Sequence, residues 1–120
     1  MNSSFVFQKK FTLEQRLEES TKIRNKYDTK IPIIVEPSKS GTLSKIDKCK
    51  FLIPDNMTLA QFLYILRRRI KLVETEAIFI FVNNNILPPT SSLLSNLYEE
   101  HKHEDGFLYL TYCNENTFGN

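Results

Sequence analysis

One strongly amphipathic helix set between two pairs of short apolar segments confines this chain to few folds. Thr58-Leu59-Ala60-Gln61 fits a capping box: the Thr58 hydroxyl accepts an orphan N–H and the Gln61 side chain reaches back. Leu59, Phe62, Leu63, Leu66 and Ile70 then recur at helical spacing, with Arg67, Arg68, Arg69 and Lys71 gathered where the macrodipole is negative. Upstream, Ile31-Pro32-Ile33-Ile34-Val35 and Lys50-Phe51-Leu52-Ile53 read as strands, the second stopped by Pro54. Pro32 has no N–H to give a ladder, which implies an edge position or a bulge. Downstream, Ala77 to Val82 is apolar on both faces and reads as a buried central strand, and Phe107 to Tyr112 as a final strand.

The rest of the chain fits around that frame. Thr12-Leu13-Glu14-Gln15 is a second capping box, opening a helix that ends near Tyr27-Asp28 and places Leu13, Leu17 and Ile23 on one broad apolar face. Residues 1–10 read as a short, weakly ordered arm. Residues 37–48 read as a loop, Asn83-Asn84-Asn85 as a turn, and His101 to Gly106 as a solvated polar loop. Thr90 or a following Ser can cap a short helix through Leu93, Leu94, Leu97 and Tyr98. Strand–strand–helix–strand–strand is the β-grasp pattern of ubiquitin-like folds. The expected class is α+β: a four-stranded mixed sheet with a crossover helix on one face and an N-terminal helical extension on the other. The expected division is an N-terminal helical region over 1–28 packed on the core, a ubiquitin-like domain over 29–113 and a flexible C-terminal tail over 114–120.

Charge is uneven. Residues 1–71 hold 15 Lys/Arg against 7 acids, and the remainder holds one Lys against 7 acids. A basic half can meet an acidic partner: nucleic acid, an acidic peptide or an anionic lipid surface. Consecutive Arg67, Arg68 and Arg69 point in different directions on a helix, and no zinc-finger spacing or base-stacking array accompanies them, so a solvated helix end is the simpler reading and nucleic acid is not expected. His101 and His103 lack a third ligand at a recognised spacing, so no metal site is expected. Cys49 and Cys113 show no Cys-x-x-Cys spacing or activated-thiol pattern, which suggests a reduced, cytoplasmic protein. With no phosphate-cradling Gly loop either, an enzyme is not expected. The longest fully apolar run, Ala77 to Val82, falls far short of the roughly 20 residues of a membrane span, so membrane association is expected to be peripheral, partner-mediated or covalent. A short second strand with a free edge can accept a peptide as an added strand, although most residues around it are also explained by core packing.

The chain resembles the autophagy ubiquitin-like modifiers, the GABARAP type and their yeast relatives. Lys30-Ile31-Pro32-Ile33-Ile34, the run Ile46 to Pro54, Ala77 to Asn83, Leu87-Pro88-Pro89-Thr90, Glu104 to Tyr109 and Glu115 to Gly119 carry the likeness in order. The resemblance implies that an autophagin-type cysteine protease cuts between Gly119 and Asn120. It implies that ubiquitin-like activating and conjugating enzymes then join the Gly119 carboxylate to phosphatidylethanolamine. No other cofactor is implied. The molecule would be cytoplasmic before conjugation and on the autophagosome membrane afterwards, reaching the lysosome or vacuole.

The resemblance further implies receptors with an aromatic-x-x-aliphatic motif flanked by acids, lying beside Lys50 to Ile53. The aromatic pocket would involve Glu19, Ile23, Pro32, Ile34, Lys50, Leu52 and Phe107, and the aliphatic pocket Phe51, Ile53, Pro54, Met57, Phe62 and Ile65. Lys30, Lys48, Lys50 and Arg69 would meet the acidic flank. With the second strand at the edge, Pro32 would be inner and should mark a bulge. A separate partner surface around Phe79, Ile80 and Phe81 competes with simple core packing. Cys113-Asn114 stands where the family usually has Ser-Gly. The other open reading is a soluble peptide-binding trafficking adaptor that is never conjugated.

Overall fold

A computed structural model describes residues 5–39, 43, 46–70 and 77–114. The elements are α1 (Val6–Lys10), α2 (Leu13–Lys26), β1 (Lys30–Pro37), β2 (Lys50–Pro54), α3 (Leu59–Ile70), β3 (Phe79–Val82), α4 (Leu94–His101) and β4 (Leu108–Cys113). The strands form one mixed sheet in the order β2-β1-β4-β3, with β1 and β4 parallel and the other pairs antiparallel. This is the ubiquitin-like α+β arrangement that the element order implies.

Strand alternation divides the core in two. Ile31, Ile33 and Val35 of β1, Phe51 and Ile53 of β2, and Leu108, Leu110 and Tyr112 of β4 face α3 and pack with Leu59, Phe62 and Leu66. The opposite face carries Ile34, Phe107 and Tyr109, covered by Phe5, Phe7 and the half-buried Ile23 of the N-terminal helices. Both capping boxes form: Gln15 N–H donates to Thr12 Oγ1 at 3.1 Å and Gln61 N–H to Thr58 Oγ1 at 3.2 Å, and each glutamine side chain accepts in return.

The strand over Ala77 to Val82 is shorter than expected and lies at the edge of the sheet beside β4, with only a bridge from Val82 to Ile86 in addition among the described residues. Ile80, Phe81 and Val82 are nonetheless buried and Phe79 is half-buried; an apolar run reports burial of two faces and says nothing about neighbours in the hydrogen-bonding direction. Pro32 sits in an inner strand without a bulge. The register runs one-to-one from Lys30↔Pro54 to Ile34↔Lys50. Val35 N–H donates to Cys49, so odd-numbered residues bond β2, and Pro32 turns toward the β4 side, where pairing begins only at Ile33.

Helix expectations change in three places. Residues 6–10 form α1 instead of a weakly ordered arm: Phe5 stacks edge-on against Tyr109 at 4.8 Å, Phe7 against Phe107 at 5.2 Å, and the Glu36 carboxylate accepts the N–H groups of Val6 and Phe7 at 2.9 and 3.0 Å. On α2, Leu13 and Leu17 are 41% and 45% exposed, and the buried residues are Arg16 and Ser20. α4 has no side-chain cap from Thr90 or a serine. Leu94 N–H instead donates to Met57 O and Ser95 N–H to Asp55 O, while Leu59 and Ala60 N–H groups of α3 donate to Ser92 O and Thr90 O. The two helix starts satisfy their orphan donors on each other's preceding loop. The Asn83 and Asn84 turn is as expected, with both residues at positive φ, a conformation asparagine tolerates better than most side chains.

Candidate functional site: the open β2 edge

β2 pairs with β1 on one side and is unpaired on the other, among the described residues. Because Cys49, Phe51 and Ile53 turn their backbone groups toward β1, those of Lys50 and Leu52 point outward along the open edge. Side chains on this strand therefore serve two faces. Lys50 and Leu52 go to the α2 face, and Phe51 and Ile53 to the α3 face.

On the α2 face the residues of the expected aromatic pocket come together. Register sets Pro32 beside Leu52 and Ile34 beside Lys50. Ile34 and Phe107 are fully buried beneath, with Ile23 packed on them from α2, and Leu52 is 38% exposed above. Lys50 Nζ is paired with Glu19 of α2, closing one side. On the α3 face, Phe51 meets Phe62 edge-on at 5.4 Å, Ile53 lies in the same cluster, and Met57 packs half-buried against it. Met57 N–H donates to Pro54 O, which keeps the exposed Pro54 over that end. Ile65 lies one turn beyond Phe62 and is half-buried. Phe62 itself is wholly buried, so it forms a floor rather than an accessible wall.

The cations divide. Lys48 and Arg69 both sit over the Phe51 ring, at 5.2 and 5.6 Å, and Arg69 also pairs with exposed Asp47 at 3.1 Å. Lys30 lies across from Pro54, at the far end of the strand pair from Lys50, with its ammonium over Tyr27. Lys48, Lys50 and Arg69 therefore surround one end of the open edge, and Lys30 the other. Gly119 and Asn120 lie outside the described residues.

Two features escape the sequence reading. The first is a cavity of about 350 Å³ beside the start of β2, bordered by Val6, Phe7, Phe11, Val35, Ile46 and Cys49 together with Lys10 and Lys50. It exists because α1 folds back over β1, which an arm without structure would not do. The free Cys49 thiol there is pushed above its ordinary pKa by burial and by the nearby Glu36 charge, so it is a weak nucleophile.

The second is a buried polar node where a solvated loop was expected. Asp105 is fully buried. Its carboxylate accepts from Arg16 Nη1 and the Tyr109 hydroxyl, both at 2.5 Å, and from Phe107 N–H at 2.9 Å. Ser20 Oγ donates to the Asp105 carbonyl at 2.5 Å, and Arg16 Nε to the Phe11 carbonyl at 3.2 Å. Burial, then the Asp105 carboxylate, holds the Tyr109 phenol above its ordinary range, and burial raises Tyr98 and Tyr112 as well. A phenol whose folded pKa exceeds its unfolded value of about 10 adds stability below that pH and loses it as pH rises through the folded value. Alkaline unfolding should therefore begin above about pH 10, and the tyrosinate absorbance of Tyr98, Tyr109 and Tyr112 should rise in step with loss of far-ultraviolet dichroism. Full ionisation of all five tyrosines in a chain still folded by dichroism would contradict the buried node.

No helix among the described residues is long and apolar enough to cross a membrane. Comparison with known proteins supplies the family. The sequence model described as "Autophagy protein Atg8 ubiquitin like" matches residues 15–119. The chain is 55% identical over 107 residues to autophagy-related protein 8b of Arabidopsis thaliana, covering 89% of this chain and 87% of that protein. It is 52% identical over 113 residues to autophagy-related protein 8 of Schizosaccharomyces pombe, covering 94% and 93%. The crystal structure of Trypanosoma brucei ATG8 superimposes with a TM-score of 0.89 at 34% identity, covering 98% of this chain and 100% of that one. A family match through residue 119, joined to a ubiquitin-like sheet flanked by N-terminal helices, places this chain in the Atg8 family of ubiquitin-like autophagy proteins.

Proposed function

We propose that this protein is a membrane-conjugated modifier that gathers receptor proteins during autophagosome formation. The observation that carries the receptor part is the open β2 edge, with Lys50 and Leu52 on one face of the strand and Phe51 and Ile53 on the other. A peptide laid along it gains backbone hydrogen bonds from Lys50 and Leu52, and residues three apart can serve opposite clefts. An aromatic side chain fits between Ile23 and the Pro32–Leu52 pair. An aliphatic one fits over Phe51, Ile53, Pro54, Met57 and Ile65, with Phe62 beneath. Lys48, Lys50 and Arg69 favour acidic residues flanking the motif and raise the encounter rate.

Conjugation is supported by the family and by the sequence of the tail. A cysteine protease hydrolyses the Gly119–Asn120 bond, an activating enzyme uses ATP to adenylate the freed carboxylate with release of pyrophosphate, a thiol displaces AMP to form a thioester, and the acyl group passes by thiol exchange to a second carrier and then to the amine of phosphatidylethanolamine. An amide forms as the last thiol leaves. Glycine suits this terminus, since it has no side chain to obstruct a narrow active site. The conjugate anchors by two acyl chains, each buried CH₂ adding about 0.8 kcal/mol. The protein acts by binding and supplies no catalytic group. Its working places are the cytoplasm and the autophagosome membrane.

The test is the intact mass of the protein from autophagy-induced cells, beside a Gly119→Ala variant. Loss of Asn120 with a gain the size of phosphatidylethanolamine, absent from the variant, is the expected result. A chain that keeps Asn120 under induction would overturn conjugation and leave a soluble peptide-binding adaptor.

A further inference from the structure

The expected aromatic cleft is built from two separate pieces: the sheet supplies Pro32, Ile34, Leu52 and Phe107, and α2 supplies Glu19 and Ile23. Its width depends on where α2 stands. A helix is usually seated by an apolar stripe, but α2 buries Arg16 and Ser20, while Leu13 and Leu17 face outward. Arg16, Ser20 and Ile23 recur at i, i+4 and i+7, so the stripe that enters the polar node ends in the cleft.

We propose that Arg16 and Asp105 are positioning residues for the aromatic cleft, with the ion pair and the Ser20–Asp105 bond fixing how far Ile23 stands from the sheet. This rests on the reading of that cleft as a receptor-peptide site. Three observations support it. The Asp105 carboxylate is satisfied at 2.5 to 2.9 Å by groups from both pieces: Arg16 of α2, and Tyr109 and Phe107 of the sheet side. Gly106 allows the approach: a Cβ there would lie 2.2 Å from Ser20 Oγ, and its φ is +89°. The node also adjoins the cleft floor, because Asp105 accepts the backbone N–H of Phe107 itself. Apolar contacts tolerate sliding, whereas a buried network of this kind holds one arrangement.

The test separates positioning from mere stability. Three synthetic peptides are titrated into wild type and Asp105→Asn by calorimetry: an acid-flanked Trp-x-x-Leu, its Trp→Ala form and its Leu→Ala form. In the wild type each anchor should be worth about 30-fold or more, the range of interface hot spots. In Asp105→Asn the tryptophan ratio should fall about tenfold, as a widened cleft loses close contact, while the leucine ratio stays within about twofold. Ratios taken on one sample cancel the folded fraction, so partial unfolding cannot imitate the result. Gly106→Ala, whose Cβ would lie 2.2 Å from Ser20 Oγ, should shift the same ratio. Unchanged ratios, or equal losses at both anchors, would overturn the positioning role. A wild type with no tryptophan preference would instead overturn the cleft assignment and this inference with it.

Discussion

Replacing Arg16 with methionine should cost the folded state about 3–5 kcal/mol in urea unfolding, the largest effect expected from any residue outside the apolar core. Methionine fills most of the volume but strands the Asp105 carboxylate, which has no solvent exposure. Tyr109 and Phe107 still donate to it, so the charge is not wholly uncompensated. Two neutral donors do not replace a guanidinium at 2.5 Å in a site from which water is excluded. Replacing Asp105 as well should not restore wild-type stability, because the Phe107 N–H and the Tyr109 hydroxyl then lose their acceptor. A cost under about 1 kcal/mol would mean that the pair behaves like an exposed salt bridge.

The same node shows where sequence reasoning stops. Strands, the two capped helices and the ubiquitin-like order were legible because each depends on local chemistry: apolar periodicity, a hydroxyl three residues before a glutamine, a proline at a strand end. The seating of α2 was not, because Arg16 and Asp105 are 89 residues apart and both normally signal solvent. A helix with leucines at i and i+4 invites the conclusion that those leucines are buried, and here the opposite stripe is. The β3 edge position was hidden for a related reason: Ile80, Phe81 and Val82 are buried by packing above and below, which leaves no trace of how many strands adjoin them. The α4 start was missed because its cap is two backbone carbonyls from residues 55 and 57, and backbone has no sequence code. The cleft residues came from family likeness rather than periodicity. Lys50 and Leu52 were expected on the second strand, but their shared outward direction required the β1–β2 register.

Phe62→Ala and Leu52→Ala should separate what holds the fold from what meets a partner. Phe62 has no exposed surface, packs edge-on against Phe51 and joins α3 to the sheet, so truncation should cost about 3–5 kcal/mol of stability through lost transfer energy and a residual cavity. The aliphatic cleft would soften with it, because Phe51 loses its support. Leu52 is 38% exposed on the open edge beside Pro32, and its truncation should cost under about 1 kcal/mol of stability. Peptide affinity should nonetheless fall about tenfold or more in Leu52→Ala, since a side chain that lines a cleft contributes its burial only when a ligand covers it. Urea midpoints and calorimetric titration of the two variants read both quantities. If Leu52→Ala binds an acid-flanked aromatic-x-x-aliphatic peptide as tightly as wild type, the peptide does not lie along β2. If Phe62→Ala loses less than about 1 kcal/mol, α3 is not seated on the sheet through this residue.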